Sequence, residues 1–236
     1  MIKVQRAIFL AAGRGTRMAP LTDTLPKPLV KVNGKAIITT LLEAVVAAGI
    51  EEIYLVRGYL GDKFACLLSD YPHIKFIDNP DFETANNISS IVAAADFLGN
   101  SYIIESDLLL RNPALIMAEQ EYSNYLSIPK SSTDDWCFYT DETGVITQMR
   151  VGGQNCQQMV GISYWTLEDG KRLAQKAREL YQESGNHQLY WDEIALSRFM
   201  SDFTIRVRPC RQEDVIEIDT LKELQAIDNS YLGLEV

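Results

Sequence analysis

The sequence predicts an α/β protein with a doubly wound, mostly parallel sheet, helices on both faces and an appended second half. Two patterns point there. Through the first half, short apolar runs alternate with longer segments whose apolar residues recur at helical spacing. Strand and helix in alternation build a parallel sheet through crossover helices. After about residue 122 the rhythm changes to closely spaced strands, as expected of a second half within the same domain.

Arg6–Leu10 reads as a buried strand and Ile37–Ala48 as a helix that stops at Gly49, a C-cap. Ile53–Val56 and Ile74–Ile77 are further strands, with part of a helix at Lys63–Leu68. Ile88–Leu98 is helical up to Gly99-Asn100, Tyr102–Glu105 is the fourth strand, and Pro113–Gln120 is a helix opened by proline. In the second half, strands are expected at Tyr125–Ile128, Cys137–Thr140, Val145–Arg150 and Val160–Trp165, with a turn at Asp141-Glu142-Thr143-Gly144. Leu167–Gln182 and Leu189–Phe199 are helical. Val215–Ile218 is a strand, followed by Thr220-Leu221-Lys222-Glu223, a capping box that opens a final helix. The expectation is one domain over 1–236, with about 1–121 binding nucleotide and about 122–236 binding the acceptor.

Composition narrows the function. The 236 residues are 47% hydrophobic, enough for one sizeable core. With 22 basic and 32 acidic side chains the formal charge is −10, which repels phosphate backbones and argues against nucleic acid. An anionic small molecule would need a local island of cations. Four separated cysteines without a C-x-x-C pair fit neither a zinc site nor a disulfide framework, but suit reduced thiols in the cytoplasm. The run Ala7–Ala12 is too short for a signal peptide, and no stretch approaches the roughly 20 apolar residues of a membrane span.

Ligands of doubly wound sheets sit beyond the carboxyl ends of the strands. There the first strand meets Leu10-Ala11-Ala12-Gly13-Arg14-Gly15-Thr16-Arg17. Gly13 and Gly15 let backbone N–H groups approach phosphate oxygens. The loop lacks the Gly-Lys-Ser/Thr of a Walker A loop and the third glycine of the dinucleotide fingerprint. Alone it is a weak signal, more often a turn than a site. The cations Arg14, Arg17 and Lys27 strengthen it, with prolines on either side of Lys27 expected to hold that stretch extended.

Leu10 to Met18, continuing through Pro20-Leu21-Thr22 and Pro26-Lys27-Pro28-Leu29, resembles the nucleoside-triphosphate signature of the sugar-nucleotidyltransferase superfamily. The resemblance implies a Rossmann-like fold of the nucleotide-diphospho-sugar transferase type. It also implies that Arg17 and Lys27 contact the triphosphate and that the Leu10–Gly13 backbone lies against the base.

Glu105-Ser106-Asp107 ends the fourth strand, and Glu217-Ile218-Asp219 ends a much later one. Magnesium is satisfied by one or two protein carboxylates together with phosphate and water. Either acid alone would read as a helix or turn cap. By the resemblance, Asp107 and Asp219 hold Mg2+, while Glu105 stands where the family often has aspartate, leaving its role open.

The second half interleaves aromatics with acids: Asp134-Asp135-Trp136, Tyr139, Tyr190-Trp191-Asp192-Glu193 and Glu217. Rings with carboxylates nearby suit an ammonium group, each well-placed ring contributing about 0.5 to 2 kcal/mol. The bland alternative is core packing with the polar atoms satisfied. Together with Asn86-Asn87-Ile88-Ser89-Ser90 and the chain length, these residues resemble the bacterial CTP:phosphocholine cytidylyltransferases almost end to end. That implies Trp136, Tyr190, Asp192 and Glu217 around the trimethylammonium group, with Asn87 near the cytidine or its α-phosphate. The expected reaction is magnesium-dependent transfer of CMP from CTP to phosphocholine, giving CDP-choline. The alternative acceptors are 2-aminoethylphosphonate and phosphoethanolamine; a sugar-1-phosphate enzyme and a non-catalytic CTP-binding module stand further behind. The expected partners are therefore small molecules, without nucleic acid or membrane.

Overall fold

The computed structural model describes residues 1–234, so positions 235–236 of the expected domain lie outside the described residues. Its centre is a seven-stranded sheet. The strands are β1 (Arg6–Ala11), β2 (Glu52–Arg57), β3 (Ile74–Asp78), β4 (Ser101–Glu105), β5 (Asn124–Thr140), β6 (Ile146–Trp165) and β7 (Arg206–Pro209), in the order β7-β5-β6-β4-β1-β2-β3. β1 runs parallel to both β2 and β4, and β2 parallel to β3. The second half extends the same sheet: β6 pairs antiparallel with β4, β5 antiparallel with β6, and β7 parallel with β5. The chain leaves β1 towards β2 on one side and returns to β4 on the other. A crevice therefore opens at the carboxyl ends of β1 and β4.

The unbroken apolar run of β1 has a simple cause. Ala7, Phe9 and Ala11 pack on one face with Ile38, Leu41, Leu42 and Val45 of α1 (Ile37–Ala47). Ile8 and Leu10 pack on the other with Ile88 and Ile91 of α2 (Ile88–Ala93) and Leu173, Ala174 and Ala177 of α3 (Leu167–Tyr181). A strand buried on both faces has no polar side to show. A smaller cluster of Met18, Val30, Val32, Ile37, Leu109, Ile218, Leu221 and Leu224 joins the segment after the glycine loop to the C-terminal helix α4 (Leu221–Ile227).

Several predicted elements change form. Pro113–Gln120 is not a helix: it is a 3-10 turn over Pro113–Leu115, followed by Glu119–Gln120 paired with Ile2–Lys3. The chain is held open there because the Tyr102 hydroxyl accepts from the Met117 N–H and Arg208 donates to the Leu115 carbonyl. The four predicted second-half strands are two long ones, β5 and β6, interrupted by bulges. Their turn forms as expected, with Asp141 accepting from the Thr143 and Val145 N–H groups and Gly144 at φ 81°. Ile88–Leu98 breaks at Ala94 into α2 and a 3-10 turn, and the helix expected at Lys63–Leu68 is 3-10 over Gly61–Ser69. Of Leu189–Phe199, the stretch Ile194–Arg198 forms a π-helical turn. Among the described residues no helix is long and apolar enough to cross a membrane.

Candidate active site

The glycine loop leaves the carboxyl end of β1 and folds back over Lys27. Gly15 sits at φ 62°, and a Cβ there would come within 2.9 Å of the Lys27 Cβ. Conformation and space both require glycine at this position. Thr22 Oγ1 donates to the Gly15 carbonyl at 2.9 Å, fixing the loop to the next turn. Lys27 is not extended as its flanking prolines suggest: Lys27–Leu29 is a 3-10 turn capped by Pro26, with Pro28 inside it. The turn buries the lysine stem, leaving Lys27 7% exposed.

The carboxylates are brought together by a short antiparallel ribbon in which Leu108–Leu110 pairs with Val215–Glu217. The Ile218 N–H donates to the Asp107 carbonyl at 3.2 Å, so Asp107 and Asp219 lie side by side. The Lys27 Nζ donates to Asp107 Oδ2 at 2.9 Å and to Asp219 Oδ1 at 2.6 Å. Arg17 Nη2 lies 3.0 Å from Asp219 Oδ2. Burial alone would lower the Lys27 pKa, but the charges and hydrogen bonds of the two aspartates outweigh it and hold it above the ordinary lysine value. Asp107 Oδ1 and the neighbouring Ser106 Oγ are buried without a hydrogen-bond partner. Asp107, Glu217 and Asp219 each bring an oxygen within 4.8 Å of the others. An orphaned carboxylate oxygen inside such a group fits a hard divalent cation.

Two adjoining clefts meet at this cluster. One is lined by Leu10, Ala11, Ala12, Gly13, Gly15, Arg17, Lys27, Asn87 and Ser90. The other is lined by Trp136, Tyr190, Asp192, Glu217, Asp135, Met149 and Met159. Arg17, Asn87, Glu105 and Asp107 border both. Trp136 and Tyr190 meet edge to face with centroids 5.9 Å apart, forming one aromatic corner. Asp192 is buried under it and accepts from the Tyr125 hydroxyl. Burial pushes Asp192 up to about 7 and, with Asp107 and Asp219 beside it, pushes Glu217 up to about 8. Glu217 is open to water yet walled by protein, the ordinary condition of a residue on a cleft floor.

The structure thus gathers most sequence-predicted residues around one crevice. Two stand apart: Arg14 pairs with Glu83 and stacks over Tyr59, and Thr16 opens the 3-10 turn Thr16–Met18 without lining either cleft. Sequence reasoning missed that Lys27 bridges the two aspartates, that Tyr125 braces Asp192, and that Glu105 pairs with Trp191. No contiguous sequence pattern signals these pairs, whose members lie 67 to 192 residues apart.

The family model described as nucleotidyl transferase matches residues 6–131. The chain is 39% identical over 231 residues to a 2-aminoethylphosphonate cytidylyltransferase of Lancefieldella rimae, covering 97% of this chain and 94% of the relative. It is 29% identical to a choline-phosphate cytidylyltransferase of Haemophilus influenzae, with 94% and 95% covered. The solved structure of CTP:phosphocholine cytidylyltransferase from Streptococcus pneumoniae superposes with a TM-score of 0.90 at 26% identity, covering 97% of this chain and 99% of that one. Fold and sequence agree, and the chain belongs to the nucleotidyl transferase family.

Proposed function

We propose that the chain transfers CMP from CTP to a small zwitterion with a phosphonyl or phosphoryl group at one end and an ammonium group at the other. The observation that carries this is the hydrogen-bonded cluster of Lys27, Asp107 and Asp219 where two clefts adjoin, Lys27 lining one, Asp219 the other and Asp107 both. One cleft is walled by the glycine loop and suits a nucleoside triphosphate. The other pairs rings with carboxylates and suits an ammonium. The acceptor oxygen attacks the α-phosphorus of CTP, forming a P–O bond as the bond to the departing pyrophosphate breaks. The second pKa of a phosphate ester is about 6, so near neutral pH the nucleophile is already largely dianionic and no general base is required. That agrees with the histidines: His187 stacks on Tyr181, and His73 sits near the distant start of β3. Asp107 and Asp219 would hold magnesium, which supplies charge neutralisation at the reacting phosphates. Lys27 and Arg17 add fixed positive charge at the same point.

The acceptor reading favours 2-aminoethylphosphonate over phosphocholine. Carboxylates outnumber rings in the second cleft, where Asp135, Asp192 and Glu217 face only Trp136 and Tyr190. A primary ammonium uses direct hydrogen bonds to carboxylates, whereas a trimethylammonium offers no N–H and needs a fuller aromatic box. The 39% identical relative supports the same choice. Phosphocholine remains the second reading, favoured by the Trp136–Tyr190 corner. Four free cysteines support a cytoplasmic setting.

Pyrophosphate release with CTP or UTP against 2-aminoethylphosphonate, phosphoethanolamine, phosphocholine and glucose-1-phosphate tests the assignment. The expected order of kcat/KM has CTP with 2-aminoethylphosphonate first. Preference for UTP with the sugar phosphate would overturn it. Lys27→Ala and Asp107→Ala should each lose at least about a hundredfold in turnover while remaining folded by circular dichroism.

A further inference from the structure

Trp191 lies between two acceptor-side residues, Tyr190 and Asp192, yet the proposed reaction needs no indole there. Its ring is only 1% exposed, lying 6.0 Å from the Tyr125 ring and edge-on to Trp165 at 5.9 Å. Packing alone would leave the indole N–H unpaired in a dry interior, which is costly. Instead Nε1–H donates to Glu105 Oε1 at 3.0 Å. The backbone N–H of Trp191 donates to Asn87 Oδ1 at 2.9 Å. A backbone N–H can only donate, so this bond also fixes which end of the Asn87 amide faces the indole segment.

Glu105 closes β4 beside Asp107, and Asn87 caps α2 at the edge of the nucleotide cleft. Gly161 of β6 lies opposite Glu105, and a Cβ there would fall 2.5 Å from the Glu105 Cγ. The glycine makes room for the carboxylate to stand beneath the indole. Tyr190 gains a local tie of its own, its N–H donating to Glu193 Oε2, but among the described residues no other bond of the Tyr190–Asp192 backbone reaches β4 or α2.

We infer that Glu105, Trp191 and Asn87 form a positioning brace that holds the Tyr190–Asp192 wall of the acceptor cleft at a set distance from the carboxylates and the nucleotide loop. None of the three has to touch the acceptor for this. The inference rests on the acceptor reading above. With the brace cut, the wall drifts and the ammonium end loses its register with the reacting oxygen, a larger change than any in the nucleotide cleft, which Glu105 and Asn87 also border.

Steady-state pyrophosphate release by the full chain, with CTP against 2-aminoethylphosphonate and phosphocholine, tests it. Trp191→Phe keeps a packed ring and removes only the N–H with part of the ring. Glu105→Met keeps an unbranched stem opposite Gly161 and removes both oxygens. Glu105→Gln retains a carbonyl oxygen for the indole. Trp191→Phe and Glu105→Met should each raise the acceptor KM about tenfold and leave the CTP KM within about twofold, as expected for one lost hydrogen bond to a charged or polar partner. Glu105→Gln should recover most of the loss. Because both variants cut one bond, the double variant should be no worse than the poorer single.

Equal rises in both KM values, a Glu105→Gln variant as poor as Glu105→Met, or multiplied losses in the double variant would each overturn the brace. If the wild-type chain released pyrophosphate with neither acceptor, the acceptor reading would fail instead. The brace would then be judged by the same double-mutant cycle on thermal unfolding, where additive losses overturn it.

Discussion

Asp192 lies beneath the Trp136–Tyr190 corner with Tyr125 as its hydrogen-bond donor, and burial lifts its pKa from 3.8 to about 7. The sign follows from which state keeps the proton. Between about pH 4 and about pH 7 the folded chain holds it and the unfolded chain has lost it. Stability from this group is therefore complete below about pH 4 and declines by about 1.4 kcal/mol per pH unit until about pH 7. A cationic acceptor reverses the preference, because an ammonium beside Asp192 favours the charged carboxylate. The acceptor KM should fall as pH rises through about 7, on top of the changes that Glu217 at about 8 and the acceptor's own second ionisation at about 6 bring, while the CTP KM lacks the step at about 7. Asp192→Asn should remove the step and raise the melting temperature above about pH 7, where the wild-type charge is costly. A step of the same size in the Asp192→Asn variant would rule out this residue as the ammonium partner. The acids and rings of this cleft were legible as a pattern in the sequence. The Tyr125 brace was not, since only the pairing of β5 with β6 and the fold of the 190–192 segment aim those side chains at each other.

At the scale of elements, Asp219 owes its position to the start of α4. Thr220 and Glu223 form the capping box that the sequence announced, and Glu223 Oε2 also accepts from the Asp219 N–H at 2.7 Å. Glu223 thus fixes the carboxylate proposed above as a magnesium ligand, whereas Thr220 only satisfies the helix end. Thr220→Ala should cost about 1 kcal/mol, or about 2–4 °C in Tm, with kcat little changed. Glu223→Ala should lower Tm by a similar amount but kcat by about tenfold, because it frees the backbone carrying Asp219. Equal kcat for the two variants would show that the cap does not position the site. The capping box and the strand ends were readable because their signals are contiguous or of period two. The failure at Pro113–Gln120 has another cause: the segment is apolar enough for a helix, but the distant side chains of Tyr102 and Arg208 claim its backbone groups. Leu189–Phe199 is helical as expected over its C-terminal part, but as a π-helical turn.

For the whole molecule, the change of rhythm near residue 122 marks a change from parallel to antiparallel pairing within one sheet. β6 from the second half pairs directly with β4, and α3 covers the face of β1 and β4 beside α2. α4 closes the small cluster that seats the segment carrying Lys27. Removing the second half would strip Leu173, Ala174 and Ala177 from Ile8, Leu10 and Ile103, and Ile218, Leu221 and Leu224 from Met18 and Val30. Each fully buried Leu or Ile contributes about 1.5–3 kcal/mol, so losing Leu173, Ile218, Leu221 and Leu224 removes about 6–12 kcal/mol, comparable to the whole margin of about 5–15 kcal/mol by which a native fold is stable. The two halves should therefore unfold together, in one calorimetric transition whose van't Hoff and calorimetric enthalpies agree. Two resolved transitions, or a stably folded fragment of residues 1–121, would show that the halves are separate domains. The same connectivity explains why the site has its chemistry: Lys27 comes from the first half, Asp219 from near the C-terminus and Asp107 from the turn after β4, the strand where they join. The crevice exists only when both halves complete the sheet, so activity and the calorimetric transition should vanish at the same temperature.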